Sequence, residues 1–197
     1  NERYISELGR GLHPSIDLFW TGRNICSQEI TLMEAAVFTQ NTYRKPLYWD
    51  NYPVNDMEMT DEMHIGPYQQ RDPHLYRFSR GIIANAMEFA ESSKISIRTV
   101  ASYLWDPLRY HAELSWREAI EEIAGSKDYL DVLHFADNVR YSCLNQTDSP
   151  ALAAALMRFD FDYFYGDRVK AIDELSTLVV EMNAVARKMQ SDQFVNQ

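Results

Sequence analysis

Cysteine is almost missing. The 197 residues hold two, Cys26 and Cys143, too few for a disulfide framework and too far apart in sequence for a zinc signature. They read as two unpaired thiols. Long apolar runs are absent as well. No stretch approaches the roughly 18 apolar residues that a membrane-spanning helix needs, and the N-terminus carries no signal-peptide pattern. Basic charge is scarce: 19 Lys and Arg stand against 29 Asp and Glu, for a formal charge of -10. That disfavours a nucleic-acid or anionic-membrane surface, because both need clustered cations. There is no glycine-rich phosphate loop, no Gly-x-Ser-x-Gly elbow and no Cys-x-x-Cys. The histidines at 13, 64, 74, 111 and 134 lack the spacing of a metal site. No metal and no cofactor is expected. A surface of this charge suits a neutral substrate such as a sugar.

What is present is enough to bury a core. Hydrophobic residues make up 46% of the chain and aromatics 13%, with twelve Tyr and four Trp, so the chain folds as one or two domains. The first half alternates between short apolar runs and helical segments. SIDLFWTG (15–22) ends at Thr21-Gly22 and reads as a buried strand. In 31–43, Thr31 and Glu34 fit a capping box that opens a helix. KPLYWDN (45–51) reads as a second strand, and an irregular stretch with Pro53, Gly66, Pro67 and Pro73 follows over 52–80. GIIANAM (81–87) reads as a third strand, running into a helix that stops at Asp106-Pro107. This is the pattern of parallel βα units, in a closed barrel or an open sheet. Three strands make a poor parallel sheet, since both faces and both edges need cover. The chain also lacks an initiator Met and begins inside a helical segment. Both features imply a piece of a longer protein, whose missing part could carry a targeting signal, so a secreted and a cytoplasmic placement both stay open.

The second half is helical. A capping-box pattern at Ser115–Glu118 opens a helix that Gly125 stops. A helical segment covers 127–144, NQTDSP (145–150) is a turn, and a third helix restarts at Pro150. Over 167–190, Val169, Ile172, Leu175, Leu178, Val179, Met182, Val185 and Met189 line one helix face at spacings of three and four. The simplest account is a bundle of about four helices beside the βα part, and its exposed helices offer a surface through which two copies could pair. Asp160, Asp162 and Asp167 suggest a metal or acid pair only weakly, because alternate residues of a helix do not face each other.

Side chains at the carboxyl ends of parallel strands line functional sites. Those ends carry Trp20-Thr21-Gly22, Trp49-Asp50-Asn51 and Asn85, with Asn55-Asp56 just beyond. An indole covers the C–H face of a sugar ring while Asp and Asn bond its hydroxyls in fixed directions. The same residues also serve as core aromatics and turn formers.

The runs LFWTGRNICSQEIT, KPLYWDNYPVND, IGPY and NAMEFAESSKISIRTVASYLW, in this order and spacing, resemble glycoside hydrolase family 84, which contains bacterial β-N-acetylglucosaminidases and animal O-GlcNAc hydrolases. The resemblance is strong over about 14–120. It implies an α/β fold: the last three βα units of a (β/α)8 TIM barrel (1–108), followed by an α-helical bundle domain (109–197). It also implies a retaining, substrate-assisted mechanism, in which the 2-acetamido oxygen of the sugar attacks the anomeric carbon to give an oxazoline. One aspartate orients the acetamide and its neighbour serves as acid and then base, outside the covalent two-carboxylate template. That pair is two consecutive aspartates, and this chain contains no Asp-Asp dipeptide, so the resemblance puts the pair upstream, on the N-terminal remainder of the barrel. Here it implies substrate-binding residues: Trp49 as the wall around the acetamido methyl, Asn51 as a sugar contact, Asp56 on the outer hydroxyls and Asn85 as its helper. Asp50 receives no catalytic role, and Ala86 stands where many members have proline. The implied partner is a glycan or glycoprotein bearing N-acetylglucosamine. The rival reading is a non-catalytic carbohydrate-binding or interaction module whose helical half docks a partner.

Overall fold

The computed structural model describes residues 2–146 and 148–190. Thr147, within the turn expected at 145–150, and residues 191–197 at the end of the expected helical domain lie outside these, as does the Met189 side chain. The elements in chain order are α1 (Glu2–Gly11), β1 (Phe19–Trp20), α2 (Leu32–Thr42), β2 (Leu47–Asp50), β3 (Gly81–Ala84), α3 (Ala90–Trp105), α4 (Ala112–Asn138), α5 (Pro150–Tyr165) and α6 (Arg168–Gln190). All three strands fall inside the apolar runs picked out above. They pair in parallel in the order β1-β2-β3, with Phe19 beside Leu47, Leu47 beside Gly81 and Trp49 beside Ile83.

Strand alternation gives the sheet two different faces. On one, Trp20 stacks on Phe38 of α2 with ring centroids 4.9 Å apart, and Tyr48 is fully buried with Ile30, Ala35 and Leu75. On the other, Phe19 meets Trp49 edge-on at 5.4 Å, and Phe19, Trp49 and Ile83 are all exposed. Helix α2 starts as its sequence requires: Thr31 Oγ1 accepts from the Glu34 amide at 3.2 Å, and Glu34 accepts from the Thr31 amide at 3.1 Å. At the end of β1, Gly22 sits at φ +92°, and a Cβ there would come within 2.4 Å of Ser27 Oγ, so no other residue fits this turn without strain.

The long segment between β2 and β3 stays irregular apart from two short 3₁₀ turns, Met57–Met59 and Leu75–Phe78. Its middle is buried against the helices. Ile65 packs with Met87, Ile95 of α3, and Trp116, Ile120, Val132 and Ala136 of α4. The Trp116 indole donates to the Ile65 carbonyl at 2.7 Å. One core therefore runs from the strand loops into the helical half.

Two helix limits differ from the sequence reading. Helix α4 begins at Ala112, with His111 at its N-cap and Ser115 buried inside it; the Ser115 amide already donates to the His111 carbonyl at 2.9 Å, and its hydroxyl caps nothing among the described residues. Gly125, at φ 70° and ψ 161°, stops the first helical stretch as expected, and Ala112–Asn138 is two helices meeting in a kink there. The helix stops at Asn138, so 139–144 is irregular. Helix α5 starts at Pro150, as expected, with Ser149 Oγ accepting from the Leu152 amide at 3.1 Å. Helices α5 and α6 pack on each other and α6 also packs on α4. Leu175, Leu178, Met182 and Val185 of the α6 face are half-buried, whereas Val169, Ile172 and Val179 are exposed.

Candidate functional site at the strand ends

The carboxyl ends of β2 and β3 hold a small polar cluster built on one oxygen. Asn51 Oδ1 accepts from the Trp49 indole N–H at 2.9 Å and from Asn85 Nδ2 at 3.1 Å. The indole nitrogen is donor-only, so it fixes which end of the Asn51 amide is oxygen. The Asn51 Nδ2 then donates to the Ile25 carbonyl at 2.8 Å, in the loop after β1. Asn85 is aimed by the sheet itself, since its backbone N–H continues the ladder to the Asp50 carbonyl at 2.8 Å. Three of the four expected sugar-binding residues are thus joined directly. Their open valences are one Asn51 N–H, one Asn85 N–H and the Asn85 carbonyl oxygen. Trp49 keeps 38% of its surface exposed, leaving the indole able to cover a ligand.

Asp56 is not hydrogen-bonded to these three. It is exposed, and it stands at the N-cap of the 3₁₀ turn Met57–Met59 without a side-chain cap bond. Its backbone carbonyl accepts from the Met59 amide at 3.0 Å, so its place is set by the backbone while its carboxylate has no partner among the described residues. The preceding Asn55 is buried and donates to the Glu62 carbonyl at 2.8 Å, which holds the turn. Burial pushes the Cys26 thiol up, and the Asp56 and Asp50 carboxylates push it further.

Asp50 has a role that the sequence did not reveal. It points to the opposite, buried face and is 2% exposed. Arg71 meets it with both Nε at 2.8 Å and Nη2 at 2.6 Å, and the Tyr68 hydroxyl donates to it at 2.5 Å. The same guanidinium donates to the carbonyls of Ser27, Gln28 and Gln69, so one buried cation ties the β1 loop and the 51–80 segment to the end of β2. Arg71 is raised further above its ordinary value: burial alone would lower it, but the Asp50 carboxylate outweighs that. Tyr68 is held well above the usual phenol range by burial first and the Asp50 charge second. Arg71, Tyr68 and Ile25 were all missed from sequence. No spacing rule reaches them; the single hint was a charged residue one place beyond an apolar strand. Trp20, by contrast, is a core aromatic against α2 and takes no part in the cluster.

Comparison with known proteins bears on the family of the chain. A family model described as beta-N-acetylglucosaminidase matches residues 1–137. Protein O-GlcNAcase of Rattus norvegicus is 29% identical over 100 residues, an alignment covering 51% of this chain and 11% of that protein. Among solved structures, a mutant O-GlcNAc hydrolase of Thermobaculum terrenum superposes with a TM-score of 0.90 at 33% identity, covering 98% of this chain and 42% of that one. CpGH84B superposes with a TM-score of 0.82 at 31% identity, covering 95% of this chain and 33% of that one. The chain thus spans less than half of the proteins it resembles. It belongs to the beta-N-acetylglucosaminidase family, glycoside hydrolase family 84.

Proposed function

We propose that this chain forms the sugar-binding side of a retaining, substrate-assisted β-N-acetylglucosaminidase of the O-GlcNAcase type, which removes terminal β-linked N-acetylglucosamine from a glycan or glycoprotein. The observation carrying this is the cluster in which Trp49 and Asn85 both donate to Asn51 at adjacent parallel strand ends. In this reading the indole walls the acetamido methyl, and Asn51 and Asn85 present their remaining amide atoms to the sugar. The unpartnered Asp56 carboxylate takes the outer hydroxyls. The acid/base aspartate and its acetamide-orienting neighbour come from residues outside this sequence, so the chain's own contribution is to bind and orient the sugar.

The uncovered sheet face supports the architectural part of the proposal. Parallel sheets are covered on both sides, yet Phe19, Trp49 and Ile83 stand exposed. Closure of the three strands into a (β/α)8 barrel would turn that face into the barrel interior, with residues 1–108 as its last three βα units. Residues 109–197 then form the helical domain, through whose exposed α5–α6 surface two copies could pair.

The test is hydrolysis of a chromogenic β-N-acetylglucosaminide by the complete protein, alongside binding of an oxazoline-like inhibitor. Turnover with inhibition is the expected result. Inhibitor binding without any turnover would turn the assignment to a carbohydrate-binding module, and absence of both would remove the sugar site.

A further inference from the structure

We propose that Glu62, His64 and Cys143 form a binding site for a borderline-soft divalent cation, Zn2+ by the chemistry of its donors. The group shares no residue with the strand-end cluster. One donor atom from each of the three side chains falls within 4.8 Å of the other two. Ligand atoms about 2.0–2.3 Å from a tetrahedral zinc ion are separated by roughly 3.3–3.8 Å, so movements of about an ångström bring them to coordinating distance. A carboxylate oxygen, an imidazole nitrogen and a thiolate together match zinc and do not match the all-oxygen shells of calcium or magnesium.

The three ligands are held before any ion arrives. The Glu62 carboxylate already accepts the backbone N–H of Cys143 at 3.0 and 3.1 Å and the Nε2 of His64 at 2.7 Å. The His64 ring is fully buried and lies nearly parallel to Tyr52, with centroids 5.9 Å apart and planes at 15°. Tyr52 is fixed in turn by its hydroxyl on the Gly66 carbonyl at 2.7 Å. A carboxylate only accepts, so without an ion the His64 proton sits on Nε2 in its bond to Glu62, while Nδ1 has no hydrogen-bond partner among the described residues and is free to take that proton. On metal binding that proton moves to Nδ1, the thiol proton passes to solvent, and Nε2 and Sγ each donate a lone pair to the ion. Access comes from the Cys143 side, because Cys143 is exposed and the Glu62 side chain keeps 30% of its surface. The ion would fasten the segment carrying Asp56 to the irregular stretch after α4. Sequence spacing concealed the group, since Glu62 and His64 lie on one loop and Cys143 some eighty positions on.

The experiment uses the full chain freed of metal with a chelator. Zn2+ is titrated in competition with a chromogenic chelator, and Co2+ is added separately to look for thiolate-to-cobalt charge transfer. One equivalent of Zn2+ should bind, the Co2+ complex should show the thiolate band, and Zn2+ should raise the thermal midpoint. Cys143→Ser should abolish the band and, like His64→Asn, lower Zn2+ affinity at least about tenfold, since even outer partners of a zinc site are worth about 10- to 100-fold. Cys143 is exposed, so its replacement by Ser leaves the core intact should the buried His64 variant fold poorly. Cys26→Ser should bind as the parent does. No thiolate band, unchanged affinity in Cys143→Ser, or binding lost only in Cys26→Ser would each overturn the proposal.

Discussion

Replacing Asp50 by alanine should be among the most destabilising single changes in this chain. The carboxylate and the Arg71 guanidinium are each only 3% exposed, so water cannot take over when one of them is removed. Asp50→Ala leaves a buried guanidinium whose remaining bonds go to the Ser27, Gln28 and Gln69 carbonyls, and leaves the buried Tyr68 hydroxyl without its acceptor. Breaking one side of a buried ion pair costs about 3–5 kcal/mol. The three carbonyl contacts solvate part of the orphaned charge, so the lower half of that range is expected. In a protein of this size each kcal/mol lowers the thermal midpoint by about 2–4 °C, giving a drop of roughly 6–16 °C. Urea unfolding followed by tryptophan fluorescence, with a thermal scan alongside, measures it. The double variant Asp50→Ala/Arg71→Met removes the stranded charge and should recover part of the loss, whereas two independent contacts would add. A single-variant loss below about 1 kcal/mol, the scale of a solvent-exposed pair, would refute the reasoning.

Asp56→Ala should behave in the opposite way. Its carboxylate has no partner among the described residues, so the unfolding midpoint should stay put. Turnover of a chromogenic β-N-acetylglucosaminide by the complete protein should fall about 10- to 150-fold, the equivalent of about 1.5–3 kcal/mol for a charged hydrogen bond; unchanged kcat/KM would take Asp56 out of the site. Thr31→Ala should cost about 1 kcal/mol by undoing the capping box of α2, read as a lower urea midpoint at constant slope. Alkali should unfold the protein through its buried phenols. Burial pushes Tyr52 up to about 12, and Tyr68 is raised as well. A folded value above the unfolded value near 10 means stability that is complete below about pH 10 and lost as pH climbs through about 12. Tyr52→Phe should flatten part of that decline, and a stability profile level to the alkaline end would contradict it.

The sequence made the three strands legible because each is a short apolar run closed by polar or turn residues. It made Trp49, Asn51 and Asn85 legible as candidates because parallel folds put function at strand ends; their joining through Asn51 Oδ1 is what the structure adds. Helix limits were less readable. Ser115 and Glu118 satisfy a local capping rule, yet the helix starts at Ala112 and the Ser115 amide bonds inside it to the His111 carbonyl. The buried ion pair and the Glu62, His64 and Cys143 group were invisible for one shared reason. Asp50 and Arg71 are 21 positions apart and Glu62 and Cys143 81 apart, and such meetings are set by chain path rather than by periodicity.

Asp50 and Trp49 are adjacent, and strand alternation sends them to opposite faces. A slip of one residue in β2 would exchange them, driving a carboxylate onto the open face and an indole into the space filled by Arg71. Apolar burial resists such a slip only weakly here, because Leu47, Tyr48 and Trp49 form a run without polar alternation and either phase offers apolar side chains to the core. The Asp50–Arg71 contact distinguishes the two registers far more sharply, since only one of them pairs the buried guanidinium. In this chain the buried charge does for the strand-end cluster what hydrophobic patterning does elsewhere: it keeps the indole on the open side, where its N–H holds Asn51.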